Sequence, residues 1–423
     1  MCKTKILVTL PQSIVGGADV RSINTLQALR MMHYDTSPLI YPFKAKPYFV
    51  NYLNHHQLFL KAMFSNYLSD YNKVVAIVTY PQFLYHLLDL KKVNPSKIVV
   101  LWLPGGNDFC CPLHTEVCPE SILNSSYGCV YSAAFFLKKC VPHMLRSRRL
   151  SVYHLLIWPN LRYKAFKYLD GFLASRSIYI KGCKYVSYEK CHYVGFGIDI
   201  NIFKPRSKED AIIFLTNLLK YVLWGNLDNL LKDVKENDGI VIGYVGATEP
   251  YWKNLETLIL AFRKLFSYST SMSHRTWLLI VGRFTSKLLS LLNAVPEPVR
   301  KRIVVMDRIS YKKVPFVYNL IDIFVNPSLL DSLEFNTLEA LASGDIVLAS
   351  SRGSIDDLRY YYGIDVLRFA PNPDSLATLL ENVLLDIENF KKIFMLRCEN
   401  IRKFIGLKAY ALRLKNVIDK YIK

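Results

Sequence analysis

Two sets of short apolar runs, each alternating with helix-length segments, constrain this chain more than any other feature. The first half holds KILVTL (Lys5–Leu10), VVAIVT (Val74–Thr79), KIVVLWL (Lys97–Leu103) and GFLAS (Gly171–Ser175). The second holds IVIGYVG (Ile240–Gly246), WLLIVG (Trp277–Gly282), RIVVMD (Arg302–Asp307), IDIFVNP (Ile321–Pro327) and DIVLAS (Asp345–Ser350). Continuous β-branched runs of this length suit strands buried on both faces, as in a parallel sheet. With helices between them the pattern is β-α-β. A chain of 423 residues also exceeds what one core usually organises. The two sets therefore predict an α/β protein of two doubly wound domains. The boundary is expected near Pro205, where GFGIDINIFKP (Gly195–Pro205) gives way to the charged RSKED, so the domains read as 1–205 and 206–403. An amphipathic stretch, Ala211–Val234, reads as a surface helix ahead of the second domain's first strand. The ligand of such an architecture belongs at the carboxyl ends of the strands, in the crevice between domains. Each functional motif should then directly follow a strand.

The formal charge of +20 bears on partners rather than on fold. Nucleic acid, nucleotide phosphates and acidic lipid headgroups are the anionic classes to weigh. The 28 tyrosines could serve as stacking platforms, but no RRM, KH, zinc-finger or helix-turn-helix pattern appears, and no nucleic-acid partner is expected. Between Phe135 and Lys167, Arg146, Arg148, Arg149, Arg162, Lys164 and Lys167 lie among Leu155, Leu156, Ile157 and Trp158. This mixture suits an interfacial element on an anionic bilayer; two helices with core-facing stripes and solvated basic faces fit it equally well. No apolar run reaches the ~18–20 residues that span a membrane, and the opening MCKTKILVTLPQS reads as a first strand rather than a leader. Nine cysteines at irregular spacing, none in a C-x-x-C pair, favour reduced thiols over a disulfide framework or a zinc site. The expected location is cytoplasmic, including the cytoplasmic face of a membrane.

Three places could carry chemistry. After the first strand, Gly16 and Gly17 stand where a loop enters a helix. Glycine lets amides approach a phosphate, and a helix start favours negative charge; a plain tight turn explains the pair about as well. After Ile240–Gly246, Lys253 and Asn254 precede a helix whose apolar positions Leu255, Leu258, Ile259, Phe262 and Leu265 repeat with helical spacing. A lysine there opposes the helix dipole, which is tolerable if solvated and useful if a diphosphate lies beside it. After Ile321–Pro327, Asp331 falls in the loop and Glu339 in the next helix, between Leu338 and Ala340. A carboxylate is a two-point acceptor for paired sugar hydroxyls, and the amides of Ser332, Leu333, Glu334 and Phe335 would face the crevice. Asp331 and Glu334 could merely favour the helix start. A charge at Glu339 on an otherwise apolar helix is costly to bury without a purpose.

These residues carry a resemblance. NPSLLDSLEFNTLEALASGD (326–345) resembles the signature of retaining GT-B glycosyltransferases of the family 4 type, the group 1 glycosyl transferases. In that family an acidic residue, seven intervening residues and a glutamate follow a Pro-Ser pair, here Pro327, Ser328, Asp331 and Glu339. GGADVRS, DGFLASRS, GFGIDINIFKP and GYVGATEPYWKNLETLILAF resemble further family segments in the right order. The resemblance implies the GT-B fold, two Rossmann-like domains facing a central cleft, with the last helix, 404–423, crossing back to the first. It implies a nucleotide-diphosphate sugar as donor substrate, a glycan or lipid-linked acceptor, and no required cofactor or metal. The roles it assigns are a backbone amide from Gly17, beside Gly16, on the donor diphosphate, and Lys253 neutralising that diphosphate as it leaves. Asp331 would contact the donor sugar and Glu339 the ribose.

Three departures qualify it. Ala247 stands where the family usually has a basic residue; Arg283 or Arg308 could compensate, though each also reads as an ordinary surface arginine. Asp331 replaces the usual glutamate and is one methylene shorter. Asn107 and Asp108 stand near the place of a loop histidine, the nearest histidine being His114, so Asp108 is the candidate to face the acceptor. These leave open a weakened enzyme that binds a nucleotide sugar and regulates.

Overall fold

In a computed structural model, the described residues are 3–10, 17–40, 69–79, 87–88, 90–92, 94–103, 168–174, 188–249, 253–268, 275–329, 335–352 and 355–422. They divide into two units, Met1–Gly197 with Leu407–Lys423, and Ile198–Gly406.

The first unit opens with β1 (Thr4–Leu10), α1 (Gly17–Met31) and β2 (Thr36–Ile40), and continues with β3 (Lys73–Val78), β4 (Ile98–Trp102), β5 (Gly171–Ala174) and β6 (Cys191–Tyr193). All six strands pair in parallel in the order β2-β1-β3-β4-β5-β6. The strands predicted from β-branched runs are the central ones, and β4 and β5 are buried along their whole length. Reversal of strand order between β1 and β3 makes a topological switch point there. Thr9 and Thr79 meet at that point: Thr79 Oγ1 donates to the Thr9 carbonyl at 2.9 Å, and Ser22 of α1 donates to Thr79 Oγ1 at 2.8 Å.

The second unit begins with α2 (Lys208–Thr216), β7 (Val222–Trp224) and α3 (Leu227–Glu236). The predicted single surface helix over Ala211–Val234 is therefore two helices and a strand. Asn217 ends α2, β7 pairs antiparallel with an edge of the sheet, and Gly225, at φ +77°, turns the chain into α3, which Asn226 caps. The β-branched and aromatic residues Val222 and Trp224 suit an edge strand, and the left-handed Gly225 breaks the helical period.

There follow β8 (Ile240–Val245), α4 (Leu255–Leu265), β9 (Thr276–Val281), α5 (Ser286–Asn293), α6 (Glu297–Arg300) and β10 (Ile303–Met306). The unit continues through α7 (Val314–Leu320), β11 (Ile323–Asn326), α8 (Phe335–Ser343), β12 (Ile346–Ser350), α9 (Asp356–Tyr362), β13 (Leu367–Phe369), α10 (Pro373–Leu385) and α11 (Ile387–Ile405). The sheet order is β13-β12-β11-β8-β9-β10-β7, parallel except at β7. Apart from that edge strand this is the doubly wound order of a Rossmann fold, with its switch point between β8 and β11. The apolar stripe predicted for α4 is buried as read, at Leu255, Leu258, Ile259, Phe262 and Leu265.

The last helix, α12 (Leu407–Ile422), belongs to the first unit. Tyr410, Ala411, Leu414, Val417 and Ile418 join Ile6, Val8, Val75, Ile77 and Leu101 in one core cluster.

Candidate active site

The switch point of the second sheet selects two loops, the one after β8 and the one after β11. The sequence places Lys253 in the first and the Pro327–Ser328 pair with Asp331 in the second. Asp331, Ser332, Leu333 and Glu334 lie outside the described residues, as do Gly16, Asp108 and the basic segment 135–167. Gly17 is the first residue of α1. Lys253 is half-buried just ahead of α4, and Phe335, also half-buried, starts α8.

Asparagines tie the two loops together. Asn254, between Lys253 and α4, holds a left-handed backbone at φ 52°. Few residues other than glycine accept that region, asparagine being one. Its Nδ2 donates to the Pro327 carbonyl at the end of β11, and its Oδ1 accepts from Thr257 at 3.0 Å. From the other side, Asn336 Nδ2 at the start of α8 donates to the Val245 carbonyl that ends β8, at 2.9 Å. Buried Asn326 donates to Thr337 Oγ1 at 2.8 Å and accepts from the Ser328 amide. Gly282, after β9, allows close approach: a Cβ there would sit 2.2 Å from the Gly246 carbonyl oxygen. A cavity of about 160 Å³ opens beside these loops, lined by Thr248, Asn254, Leu255, Glu256, Lys287, Leu288, Leu291 and Leu329.

Glu339 projects from the fifth position of α8 and is 5% exposed. Both its oxygens are engaged. Tyr311 donates to Oε1 at 2.9 Å and Tyr318 to Oε2 at 3.0 Å. Burial raises its pKa to about 7, while the two tyrosine hydrogen bonds pull it down. The same burial and the facing carboxylate push both tyrosines well above their ordinary value, so both stay protonated donors.

Of the two arginines considered as substitutes near Ala247, Arg283 is engaged in an ion pair. Arg283 Nη1 pairs with Glu249 Oε1 at 2.6 Å, both exposed. Arg308 is exposed, and its amide donates to its neighbour Asp307. Ala247 offers its carbonyl to the Tyr244 hydroxyl at 2.7 Å.

Asn254, Asn326, Asn336, Tyr311 and Tyr318 complete the site without having been selected as site residues from sequence. The only signal for the asparagines is their position beside the motifs. The tyrosines lie 28 and 21 residues before Glu339, and nothing local marks them.

Two parallel doubly wound sheets, with acid and lysine motifs at the strand ends, define the GT-B class of glycosyltransferase folds. Solved structures agree over nearly the whole chain. Sucrose-phosphate synthase from Thermosynechococcus elongatus superposes with a TM-score of 0.69 at 14% identity, covering 99% of each chain. The catalytic domain of starch synthase IV from Arabidopsis thaliana, bound to ADP and acarbose, gives 0.67 at 9% identity, covering 100% of this chain and 99% of that one. HepE from Anabaena, in complex with UDP-glucose, gives 0.64 at 13% identity, covering 98% and 99%. Within that fold, residues 239–386 match the model of the Glycosyl transferases group 1 family. No curated protein sequence matches the chain significantly.

Proposed function

We propose that this protein is a retaining glycosyltransferase that moves a sugar from a nucleotide-diphosphate sugar to a glycan or lipid-linked acceptor. The observation that carries the reading is Glu339, a buried carboxylate on the helix that follows β11 at the sheet's switch point, inside the matched family domain. Such an acid is costly to bury unless its oxygens have work. In the proposed roles Glu339 accepts the ribose hydroxyls, Asp331 holds hydroxyls of the donor sugar, and the amides of residues 332–335 hold donor oxygens. Lys253 and the Gly16–Gly17 amides stabilise the diphosphate as it departs. The anomeric carbon is attacked on the face the leaving group vacates, with Asp108 toward the acceptor. Fixed positive groups at a departing diphosphate act most strongly where water is excluded. The first unit would then be the acceptor side and the second the donor side. That nucleotide sugars and nucleotides occupy relatives of this fold, UDP-glucose in HepE and ADP in the starch synthase, supports the donor class.

Among the described residues no helix is long and apolar enough to cross a membrane. The charge of +20 fits an anionic surface as the place where a lipid-linked acceptor is met.

A panel of nucleotide sugars offered to the purified protein should yield slow donor hydrolysis and free nucleotide. Glu339→Ala should lose about 10²–10³ of the turnover, the scale of one site contact, with weaker donor binding. Unchanged donor binding in a folded variant would remove the role given to Glu339. A second reading is favoured by Ala247 and by the pairing of Arg283 with Glu249: half of a diphosphate clamp is absent, and the protein binds a nucleotide sugar and regulates. Saturable binding without turnover would select it.

A further inference from the structure

Glu339 is the one charged side chain on its helix, which reads FNTLEALAS. Its two tyrosine partners are placed differently. Tyr318 sits on α7 with no exposed surface, its ring against Phe203 at 5.9 Å and Phe324 at 5.7 Å. That is a core residue. Tyr311 opens the 3-10 turn Tyr311–Lys313, four residues beyond the loop start at Asp307, and is only half-buried, with Phe203 tilted against it at 5.3 Å. It hangs from the carboxyl end of β10, the same edge of the sheet as the loops after β8 and β11.

The terminal torsion of a glutamate is broad and roughly two-fold, so an unheld carboxylate turns freely. Here one hydroxyl grips each oxygen. A carboxylate offers about four lone-pair positions, so the two tyrosines leave one on each oxygen. Two parallel acceptor positions in fixed orientation are what a vicinal diol requires.

We infer that Tyr311 is a positioning residue, whose hydroxyl fixes the Glu339 carboxylate for a nucleotide's ribose diol and ties that orientation to the loop after β10. The inference rests on the reading of Glu339 given above. Holding the acceptor in place before the nucleotide arrives lowers the ordering cost of binding.

The arrangement sets a pH dependence. Tyr311 and Tyr318 face the carboxylate directly, Asp199 lies near Tyr311, and Asp345 near Tyr318. From α11, packed on α8, Cys398 Sγ donates to the Ala342 carbonyl and Lys391 pairs with Asp322. An ionised Glu339 accepts both diol hydrogens; a protonated one gives up an acceptor. Nucleotide affinity should therefore fall as pH drops through about 7. Removing the Tyr311 hydroxyl deletes a hydrogen bond that favours the charged form, so the midpoint moves upward.

The test titrates the full chain with UDP and, separately, ADP across this pH range, for wild type, Tyr311→Phe, Glu339→Gln and the double variant. Tyr311→Phe should bind about tenfold more weakly, the scale of one lost hydrogen bond to a charged group, with its midpoint shifted up. In the Glu339→Gln background only the pH dependence of the nucleotide's own terminal phosphate should remain, and Tyr311→Phe should add almost nothing, which a merely structural tyrosine would not do. Equal affinity and an unchanged midpoint in Tyr311→Phe would overturn the inference, as would an undiminished effect in the double variant. If wild type binds a nucleotide and Glu339→Gln binds it equally, the reading of Glu339 itself fails and this inference with it. Should Tyr311→Phe not fold, the pH profiles of wild type and Glu339→Gln still decide: a wild-type profile that coincides with that of Glu339→Gln through neutrality would overturn the proposal.

Discussion

Asp345 shows how a single buried acid can weigh against stability. It precedes β12 and is 5% exposed, and its Oδ2 has no hydrogen-bond partner. Burial, and then the nearby Asp322 carboxylate, raise its pKa well above the ordinary value, with Lys208 opposing. A folded-state pKa above the unfolded one means that the native state holds the proton more tightly. The stability this contributes is fully present below the unfolded value of 3.8 and is lost as pH rises through the folded value. Asp345→Asn removes that titration at nearly constant shape. The variant should match wild type near the unfolded pKa and exceed it by about 1–3 kcal/mol in mildly alkaline buffer, read from urea midpoints at the two pH values. Glu339 titrates in the same direction between 4.5 and about 7, so the difference between variant and wild type, not the wild-type curve alone, isolates Asp345. Asp322 is the opposite case. Its carboxylate accepts from Lys208 at 2.7 Å and from the Val241 amide at 2.8 Å, and pairs with Lys391 at 3.2 Å. Equally buried, it is fully partnered.

Among the elements, the junction of β8 with α8 holds the candidate site in shape. Asn336 is the link, donating to the Val245 carbonyl and accepting from the Thr337 amide at 2.8 Å. Asn336→Ala leaves a strand-end carbonyl without that partner, which should cost about 1–2 kcal/mol in a denaturant melt. Because the same bond sets where α8 begins, donor KM should rise several-fold while the fold is kept. A melt unchanged within error would show that the bond adds nothing. The element hardest to read from sequence was β7. Three residues of an edge strand carry too little pattern to stand out between two helices, and only pairing with β10 reveals the strand. The central strands β3, β4, β8, β9, β11 and β12 were legible because a strand covered on both faces must be apolar at every position.

For the whole molecule the last helix matters most. Five side chains of α12, which follows the second unit in sequence, complete the core of the first. Leu414, Val417 and Ile418 contribute about 1.5–3 kcal/mol each, and with Tyr410 and Ala411 they rival the ~5–15 kcal/mol by which a domain is stable. Ending the chain after Gly406 should therefore unfold the first unit while leaving the second intact. Limited proteolysis with mass mapping would show cleavage confined to residues before about Gly197. Uniform resistance would mean that α12 is dispensable.

The sequence by itself determined the α/β class, the two parallel sheets and the ends of the strands after which the candidate motifs fall. Those follow from local rules: residue type, period and spacing along the chain. Tertiary structure decided the sheet orders, and with them the switch point that draws the loops after β8 and β11 together. It also decided the partners. Tyr311 and Tyr318 reach Glu339 from other elements, and Lys208 reaches Asp322 across 114 residues. A hydrogen bond depends on distance in space, and no periodicity along a chain encodes which distant side chains the fold will bring within three ångströms.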